Sequence, residues 1–249
     1  MVKYGLIGKT LKHSFSPSYF KEKFSREGID ASYDLYEIPE ISNLMDLVKE
    51  NPALRGLNVT IPYKVDVFPF LDEISPEAKR AGAVNVIKII PGENDFKLSG
   101  FNSDIIGFRE SLKGFIADNV SIKALILGTG GASKAVAVAL EDLRIPYRFV
   151  SRTPGPNRTT YETLSKDIVA QHKLIVNTTP LGMFPDINDA PPFPYHYLDE
   201  AHFCYDLIYN PPKTKFMDLS SSRGAKVKNG QEMLELQAEA SWKIWNNEI

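Results

Sequence analysis

The 249-residue chain has a single cysteine, Cys204, so no disulfide can form within it. Cys204 sits in an apolar run, where a buried, inert thiol is the expectation. No apolar run approaches the ~18 residues of a membrane span. The opening residues, Met1-Val2-Lys3-Tyr4-Gly5, lack the long apolar stretch of a signal peptide. A cytoplasmic protein without a membrane partner is therefore expected. Neither charge sign is in excess: the formal net charge is −2, which gives no electrostatic reason to expect nucleic acid. The four histidines, His13, His172, His196 and His202, are scattered, and none stands at metal-ligand spacing from another His, a Cys or paired acids. No metal is expected. Internal repeats and low-complexity tracts are missing as well. The nearest thing to a flexible segment is 184–194, rich in Pro, Asp and Asn, which reads as a loop.

What is present is an alternation of strand and helix patterns. Residues 4–8, 33–38, 55–59 and 83–90 read as strands, and 95–101 reads as a partner of the last across the turn 91–94. Helical patterns cover 17–26, 41–49 and 104–113. A second series opens with the strand 123–127. The alternation predicts an α/β protein of two domains with mostly parallel sheets, the seam falling near 104–120. The last segment, 231–246, is an amphipathic helix in which Met233, Leu234, Gln237, Ser241, Ile244 and Trp245 recur at helical spacing. Gln237 thus lies on an apolar stripe. A buried amide needs partners at both ends, so Gln237 either bonds backbone or contacts a polar ligand.

Asn58-Val59-Thr60-Ile61-Pro62-Tyr63-Lys64 is the most informative stretch. An amide, a hydroxyl and an ammonium crowd the end of a strand, where open α/β sheets usually bind ligands. Pro62 stops the ladder and starts the next helix. Lys64 would then stand in a first helical turn, against the dipole, which makes it a candidate for proton chemistry. A solvated lysine after a loop is the plain alternative.

The strand 123–127 runs into Gly128-Thr129-Gly130-Gly131-Ala132-Ser133, followed by a helical stretch at 134–143. Strand, glycine turn and helix in that order are the context of a dinucleotide site. Gly128 permits the tight turn, Gly130 lets backbone approach a pyrophosphate, and the helix-start amides bind the anion. Ser133 stands where a third glycine is common. The next strand, 147–150, ends in Ser151-Arg152-Thr153. NAD sites usually carry an acid at that point for the ribose hydroxyls. Here a guanidinium stands instead, with Arg158 shortly beyond, and arginine suits a 2′-phosphate. This favours NADP(H) over NAD, against the alternative that Arg152 is only a surface residue.

These motifs together resemble the shikimate dehydrogenase family, from Gly5 to about Gln237. The resemblance rests on Ser14-Phe15-Ser16-Pro17, the stretch Asn58 to Lys64, Gly82-Ala83-Val84-Asn85 and Gly100-Phe101-Asn102-Ser103-Asp104. It continues through the glycine turn, Asn177-Thr178-Thr179-Pro180-Leu181-Gly182-Met183, Asp206-Leu207-Ile208-Tyr209-Asn210-Pro211 and Gly230 to Gln237. Three features depart from the family pattern: Ser103 for a usual threonine, Ser151 for a usual asparagine, and the Pro154-Gly155-Pro156 loop.

The resemblance implies reversible, NADPH-dependent reduction of 3-dehydroshikimate to shikimate, a step of aromatic amino-acid (chorismate) biosynthesis. It implies a substrate domain at 1–104, a Rossmann domain at 105–222, and a C-terminal helix, 223–249, returning to the substrate domain. Lys64 and Asp104 would be the catalytic pair. Ser14 and Ser16 would hold the substrate carboxylate, although on their own both serines read as helix N-caps. Asn58, Thr60, Lys64, Asn85, Asp104 and Gln237 would hold its hydroxyls or ketone, with Tyr209 close by. The cofactor would be held by Gly128 through Ser133, by Ser151, Arg152, Thr153 and Arg158, and by Thr178. Leu207 and Gly230 would approach the nicotinamide by backbone. Ketone reduction needs a proton donor at hydrogen-bond distance from the developing alkoxide, and an ammonium can donate or stabilise the oxyanion. Which of Lys64 and Asp104 is the formal acid stays open. Expected partners are the small-molecule substrate and no nucleic acid or membrane, in a monomer or homodimer. The alternatives are a quinate/shikimate dehydrogenase of broader substrate or NAD use, and a non-catalytic dinucleotide-binding regulatory relative.

Overall fold

Short apolar strands and amphipathic helices alternate along the computed structural model, which describes residues 1–11, 14–93, 95–116 and 122–249. His13, Asn94 of the expected 91–94 turn, and part of the expected 104–120 seam lie outside those residues. The chain forms two compact units. One comprises Met1–Ser103 with Gln237–Ile249, and the other Asp104–Leu236. The C-terminal segment expected at 223–249 is thus divided, with residues 223–236 clustering in the second unit.

The first unit holds β1 (Val2–Gly8), α1 (Ser16–Glu27), β2 (Ala31–Glu37), α2 (Leu44–Glu50), β3 (Leu54–Val59), α3 (Tyr63–Asp66), β4 (Glu73–Ile74), α4 (Pro76–Ala81), β5 (Val86–Pro91) and β6 (Phe96–Phe101). Its sheet has the order β2-β1-β3-β5-β6-β4. β1 pairs in parallel with β2 and β3, and β4 with β6, whereas β5 runs antiparallel to β3 and β6. The ends of β1, β3 and β6 and the start of β5 therefore meet at one edge of the sheet. Strand β5 starts at Val86 rather than at residue 83, because α4 ends in a left-handed Gly82 (φ 58°) and residues 83–85 lead in from it.

Strand alternation divides β3 between the two faces. Leu57 and Val59 enter a core with Ile7, Leu44, Ile87 and Leu98. Gly56 and Asn58 face the final helix on the other side. A Cβ at Gly56 would lie 2.3 Å from the Trp245 indole, so glycine is what admits that ring. Trp245 stacks on Tyr4 (4.8 Å, 25°) and donates from Nε1 to the Ile87 carbonyl at 3.1 Å. Phe20, Phe24 and Ile244 complete this second core. Burying a ring of this size contributes roughly 2–3 kcal/mol.

Helix α5 (Ser103–Lys113) leads into the second unit. That unit holds β7 (Ala124–Leu127), α6 (Gly131–Asp142), β8 (Tyr147–Ser151), β9 (Arg158–Thr160), α7 (Lys166–Gln171), β10 (Leu174–Asn177), β11 (Phe203–Asp206), α8 (Lys215–Ser221) and β12 (Lys226–Lys228). All pairings are parallel, in the order β12-β11-β10-β7-β8-β9. This doubly wound order reverses between β7 and β10, the usual ligand crevice of such sheets. The core gathers Leu125, Leu127, Val150, Ile175, Cys204 and Phe216. Burial pushes the Cys204 thiol up to about 12, in keeping with an inert core residue. Helix α9 (Gln231–Trp245) belongs to the second unit up to Leu236 and to the first from Gln237. No helix of the described residues is long and apolar enough to cross a membrane.

Candidate active site

The convergent edge of the first sheet collects polar side chains. Thr60 follows β3, its N–H bonded to the Ile7 carbonyl at 3.0 Å. The Ile61–Pro62 bond is cis, and Lys64 lies in α3, which has only four residues. A single turn carries little macrodipole, so the dipole argument for Lys64 loses its force. Its placement comes from elsewhere: the Val84 N–H donates to the Lys64 carbonyl at 2.8 Å, fastening α3 beside the entry to β5. Asn85 precedes β5 at the same edge, with Val59 N–H bonded to its carbonyl at 2.9 Å.

Ser14 and Ser16 border this edge through the loop after β1. Neither caps α1: the N-cap is Phe15, without a side-chain cap, and Ser16 is already helical. The Ser14 hydroxyl donates to the Leu11 carbonyl at 2.9 Å, which holds it in the loop. The expected capping role is thus not realised.

Buried hydrogen bonds join Asn58, Asn85 and Gln237. Asn58 Nδ2 donates to Ser241 Oγ at 2.9 Å and to the Asn85 carbonyl at 3.3 Å. The Tyr33 hydroxyl donates to Asn58 Oδ1 at 2.8 Å. Asn85 Oδ1 accepts from the Ser103 N–H at 2.7 Å, and Asn85 Nδ2 donates to Ser103 Oγ at 3.1 Å. Ser103 Oγ lies 3.2 Å from Gln237 Oε1 and 3.1 Å from Ser241 Oγ. Gln237 is 9% exposed. Tyr33, Ser103 and Ser241 were not among the expected site residues. Ser241 follows Gln237 by four residues on the same stripe, and that spacing was the signal available. Tyr33 had none, since its strand pattern matches any core aromatic.

Asp104 and Tyr209 belong to the second unit. Asp104 occupies the first turn of α5, where a carboxylate suits the helix dipole. Tyr209 follows β11 and is half-buried.

The glycine turn stands at the crevice of the second sheet. Gly128 has φ +106°, and a Cβ there would lie 2.9 Å from Thr178 Oγ1, so both conformation and space require glycine. Thr178 Oγ1 in turn donates to the Leu127 carbonyl at 2.7 Å, tying the end of β10 to β7. Helix α6 starts at Gly131, three residues before the expected start. Gly131, Ala132 and Ser133 therefore form its first turn, with Gly130 extended at the N-cap. No side chain caps α6 and its first turn has no acid. Thr129 through Ala132 are exposed, and a Cβ at Gly130 or Gly131 would meet nothing within 4 Å. Ser133 is buried, its hydroxyl turned back to the Gly130 carbonyl at 2.7 Å. Open backbone, uncapped amides and the absence of a first-turn acid fit an anionic dinucleotide.

At the end of β8, Ser151 Oγ donates to the Thr153 carbonyl and accepts from the Thr153 N–H at 3.3 Å. This tight turn leaves Arg152 exposed at its tip. The Arg152 charge opposes burial at Tyr161, where burial wins and pushes the phenol up to about 12. Arg158 is exposed in β9, and its N–H bonds the Gly155 carbonyl at 3.0 Å, so the Pro154-Gly155-Pro156 loop folds beside it.

At the other side of the crevice, Gly230 packs on the backbone of Leu207. A Cβ on Gly230 would lie 2.0 Å from the Leu207 carbonyl oxygen, and the Gly230 N–H donates to the Ile208 carbonyl at 3.0 Å. The structure thus brings these two expected backbone contacts together. It also reveals a support that the sequence reading missed. Asp206, fully buried, accepts from Asn177 Nδ2 (3.0 Å), Ile208 N–H (3.1 Å) and Thr214 Oγ1 (2.6 Å). Burial outweighs these bonds and raises its carboxyl to about 6. No group of three or more metal-ligating side chains occurs among the described residues.

Residues 6–87 match the model of the shikimate dehydrogenase substrate binding domain. The chain is 40% identical to the shikimate dehydrogenase (NADP(+)) of Clostridium beijerinckii, over 97% of this chain and 91% of that one. The chain belongs to the shikimate dehydrogenase family. The corresponding enzyme of Caldicellulosiruptor saccharolyticus is 36% identical, over 98% of this chain and 92% of that one. Among solved structures, shikimate 5-dehydrogenase of Thermus thermophilus in complex with NADP(H) and shikimate matches with a TM-score of 0.84 and 31% identity, over 99% and 94% of the two chains. The fold class expected from the sequence, a two-domain α/β protein with a Rossmann half, is the fold of this family.

Proposed function

We propose that the protein is an NADP-dependent shikimate dehydrogenase that interconverts 3-dehydroshikimate and shikimate. The observation that carries this reading is the convergence, at one edge of the first sheet, of serine and threonine hydroxyls, two amides and the Lys64 region, in a chain 40% identical to an NADP(+) shikimate dehydrogenase. Such a set suits a small polyol acid: hydroxyls for one carboxylate, amides for ring hydroxyls, an ammonium for the reacting oxygen.

The first unit is the substrate half in this proposal, and the second the cofactor half. Ser14 and Ser16 hold the carboxylate. Thr60, Asn85 and Gln237 orient the ring, with Tyr209 near it. The cofactor would be held by Gly128, Thr129, Gly130, Gly131, Ala132 and Ser133. Arg152 and Arg158 would take its 2′-phosphate, with Ser151, Thr153 and Thr178 beside it, and Leu207 and Gly230 would serve the nicotinamide by backbone. NADPH, when bound, supplies the hydride. The chain's own task is the proton. The Lys64 ammonium holds a proton at the ketone oxygen and stabilises charge developing there, and Asp104 is the second acid–base group of the pair. A cytoplasmic location, and assembly as a monomer or homodimer, belong to the same proposal.

The test is a steady-state assay of shikimate and quinate, each with NADP and NAD, followed by nicotinamide absorbance. Shikimate with NADP is expected to give the highest kcat/KM. A preference for quinate or for NAD would reject the assignment in favour of a broader dehydrogenase, and no turnover with any pair would favour a regulatory relative.

A further inference from the structure

The hydrogen-bond capacity of Asn58 is nearly used up inside the protein. Both Nδ2 hydrogens are committed, to Ser241 Oγ and the Asn85 carbonyl, and Oδ1 accepts from the Tyr33 hydroxyl. A primary amide offers two donors and two acceptor lone pairs, so Asn58 keeps a single lone pair and no donor for a ligand.

The polarity of this arrangement is fixed. The Asn85 carbonyl can only accept, so Nδ2 must face it, and Oδ1 must face Tyr33. Tyr33 is therefore obliged to donate. Its ring is held by stacking on Phe20 (4.6 Å, 11°), and burial pushes its phenol well above the ordinary range, which keeps the proton in place. The Ser16 side chain neighbours the same hydroxyl.

Downstream, Ser241 Oγ accepts from Asn58 and donates to the Gln237 carbonyl at 2.9 Å. Ser103 Oγ sits among Ser241 Oγ, Gln237 Oε1 and Asn85 Nδ2. With Oε1 of Gln237 turned to Ser103, its Nε2 is turned the other way. Asn85 is held by Ser103 at both ends of its amide. Hydrogen bonds thus connect a strand tyrosine, through Asn58, Ser241 and Ser103, to the side-chain amides of Asn85 and Gln237.

We propose that Tyr33, acting through Asn58, Ser241 and Ser103, is a positioning residue that sets the orientation of Gln237 for substrate. The inference rests on the substrate reading above. Removing the Tyr33 hydroxyl leaves Asn58 Oδ1 buried without its donor and its amide held at one end only, which loosens the placement of Ser241 and, through it, Ser103.

The experiment is a double-mutant cycle with shikimate and NADP, using Tyr33→Phe, Gln237→Ala and the double variant, with Ser241→Ala as a second entry into the network. Tyr33→Phe keeps the stacked ring, and its fold is checked by circular dichroism and NADP affinity, both expected to match wild type. It is expected to raise KM for shikimate about 10-fold with kcat within about 3-fold. In the Gln237→Ala background the same change is expected to raise KM by no more than about 2-fold, since the amide it orients is gone. Ser241→Ala should raise KM in the same way and couple to Tyr33→Phe. Equal KM factors in both backgrounds, or a loss of thermal stability with KM unchanged, would overturn the proposal while leaving the functional reading standing. A wild-type protein inert toward shikimate would overturn both.

Discussion

Asp206 gives the sharpest physical prediction. Its carboxyl is raised from an ordinary value of 3.8 to about 6, chiefly by burial. The folded state therefore binds this proton more tightly than the unfolded state. The associated stability is fully present below the unfolded value and is lost as pH rises through about 6. The whole difference amounts to about 3 kcal/mol at 1.36 kcal/mol per unit. Roughly half of it, about 1.5 kcal/mol, is lost between about pH 5 and pH 8. Asp206→Asn is neutral throughout and lacks this slope. Its carbonyl still accepts from Asn177 and Ile208, and Thr214 can turn its hydroxyl to accept from the new amide. Urea unfolding followed by far-ultraviolet circular dichroism at the two pH values measures the difference. The variant's stability relative to wild type is expected to rise by about 1.5 kcal/mol from the lower to the higher pH. Asp206→Ala should instead be destabilised at both, by about 1–3 kcal/mol for each stranded donor. Wild-type and Asn curves that stay parallel across the pH range would refute the claim that a buried, proton-binding Asp206 supports this crevice.

Three further outcomes follow from the site. Arg152→Ala should cut kcat/KM for NADP at least 10-fold, about 1.4 kcal/mol, and leave NAD use nearly unchanged; equal losses for both cofactors would remove the 2′-phosphate argument. Gln237→Ala should raise KM for shikimate while NADP affinity holds, and a variant that only loses thermal stability would make Gln237 a purely structural amide. Gly230→Ala should lower the unfolding midpoint by about 1–3 kcal/mol of stability and weaken NADP binding, because its Cβ would lie 2.0 Å from the Leu207 carbonyl; unchanged unfolding would show that this approach is readily relaxed.

Much of this architecture was legible because period and punctuation agreed. The β3 pattern, the glycine turn after β7 and the apolar stripe of α9 each placed an element within a few residues. Boundaries shifted where backbone conformation, not hydrophobicity, decides. Gly82 in the left-handed region delays β5, and an extended Gly130 lets α6 begin early. Lys64 was singled out by a helix-dipole argument that a four-residue helix cannot support. Its position is instead set by a backbone hydrogen bond from Val84, twenty residues on, which no local pattern encodes. The same limit hid the roles of Tyr33, Asn177 and Asp206. Each acts through a partner distant in sequence, whereas Ser241 was at least marked by its spacing from Gln237.

The central claim is that Lys64 carries the proton in a shikimate-reducing site. Turnover of Lys64→Ala with shikimate and NADP, alongside NADPH titration, tests it most directly. A fall in kcat of roughly 100-fold or more is expected, with NADPH affinity retained because the glycine turn belongs to the other unit. Asp104→Asn should also slow turnover, and the double variant should lose less than the product of the two single losses. Near-normal turnover by Lys64→Ala would make Lys64 a bystander and contradict the mechanism.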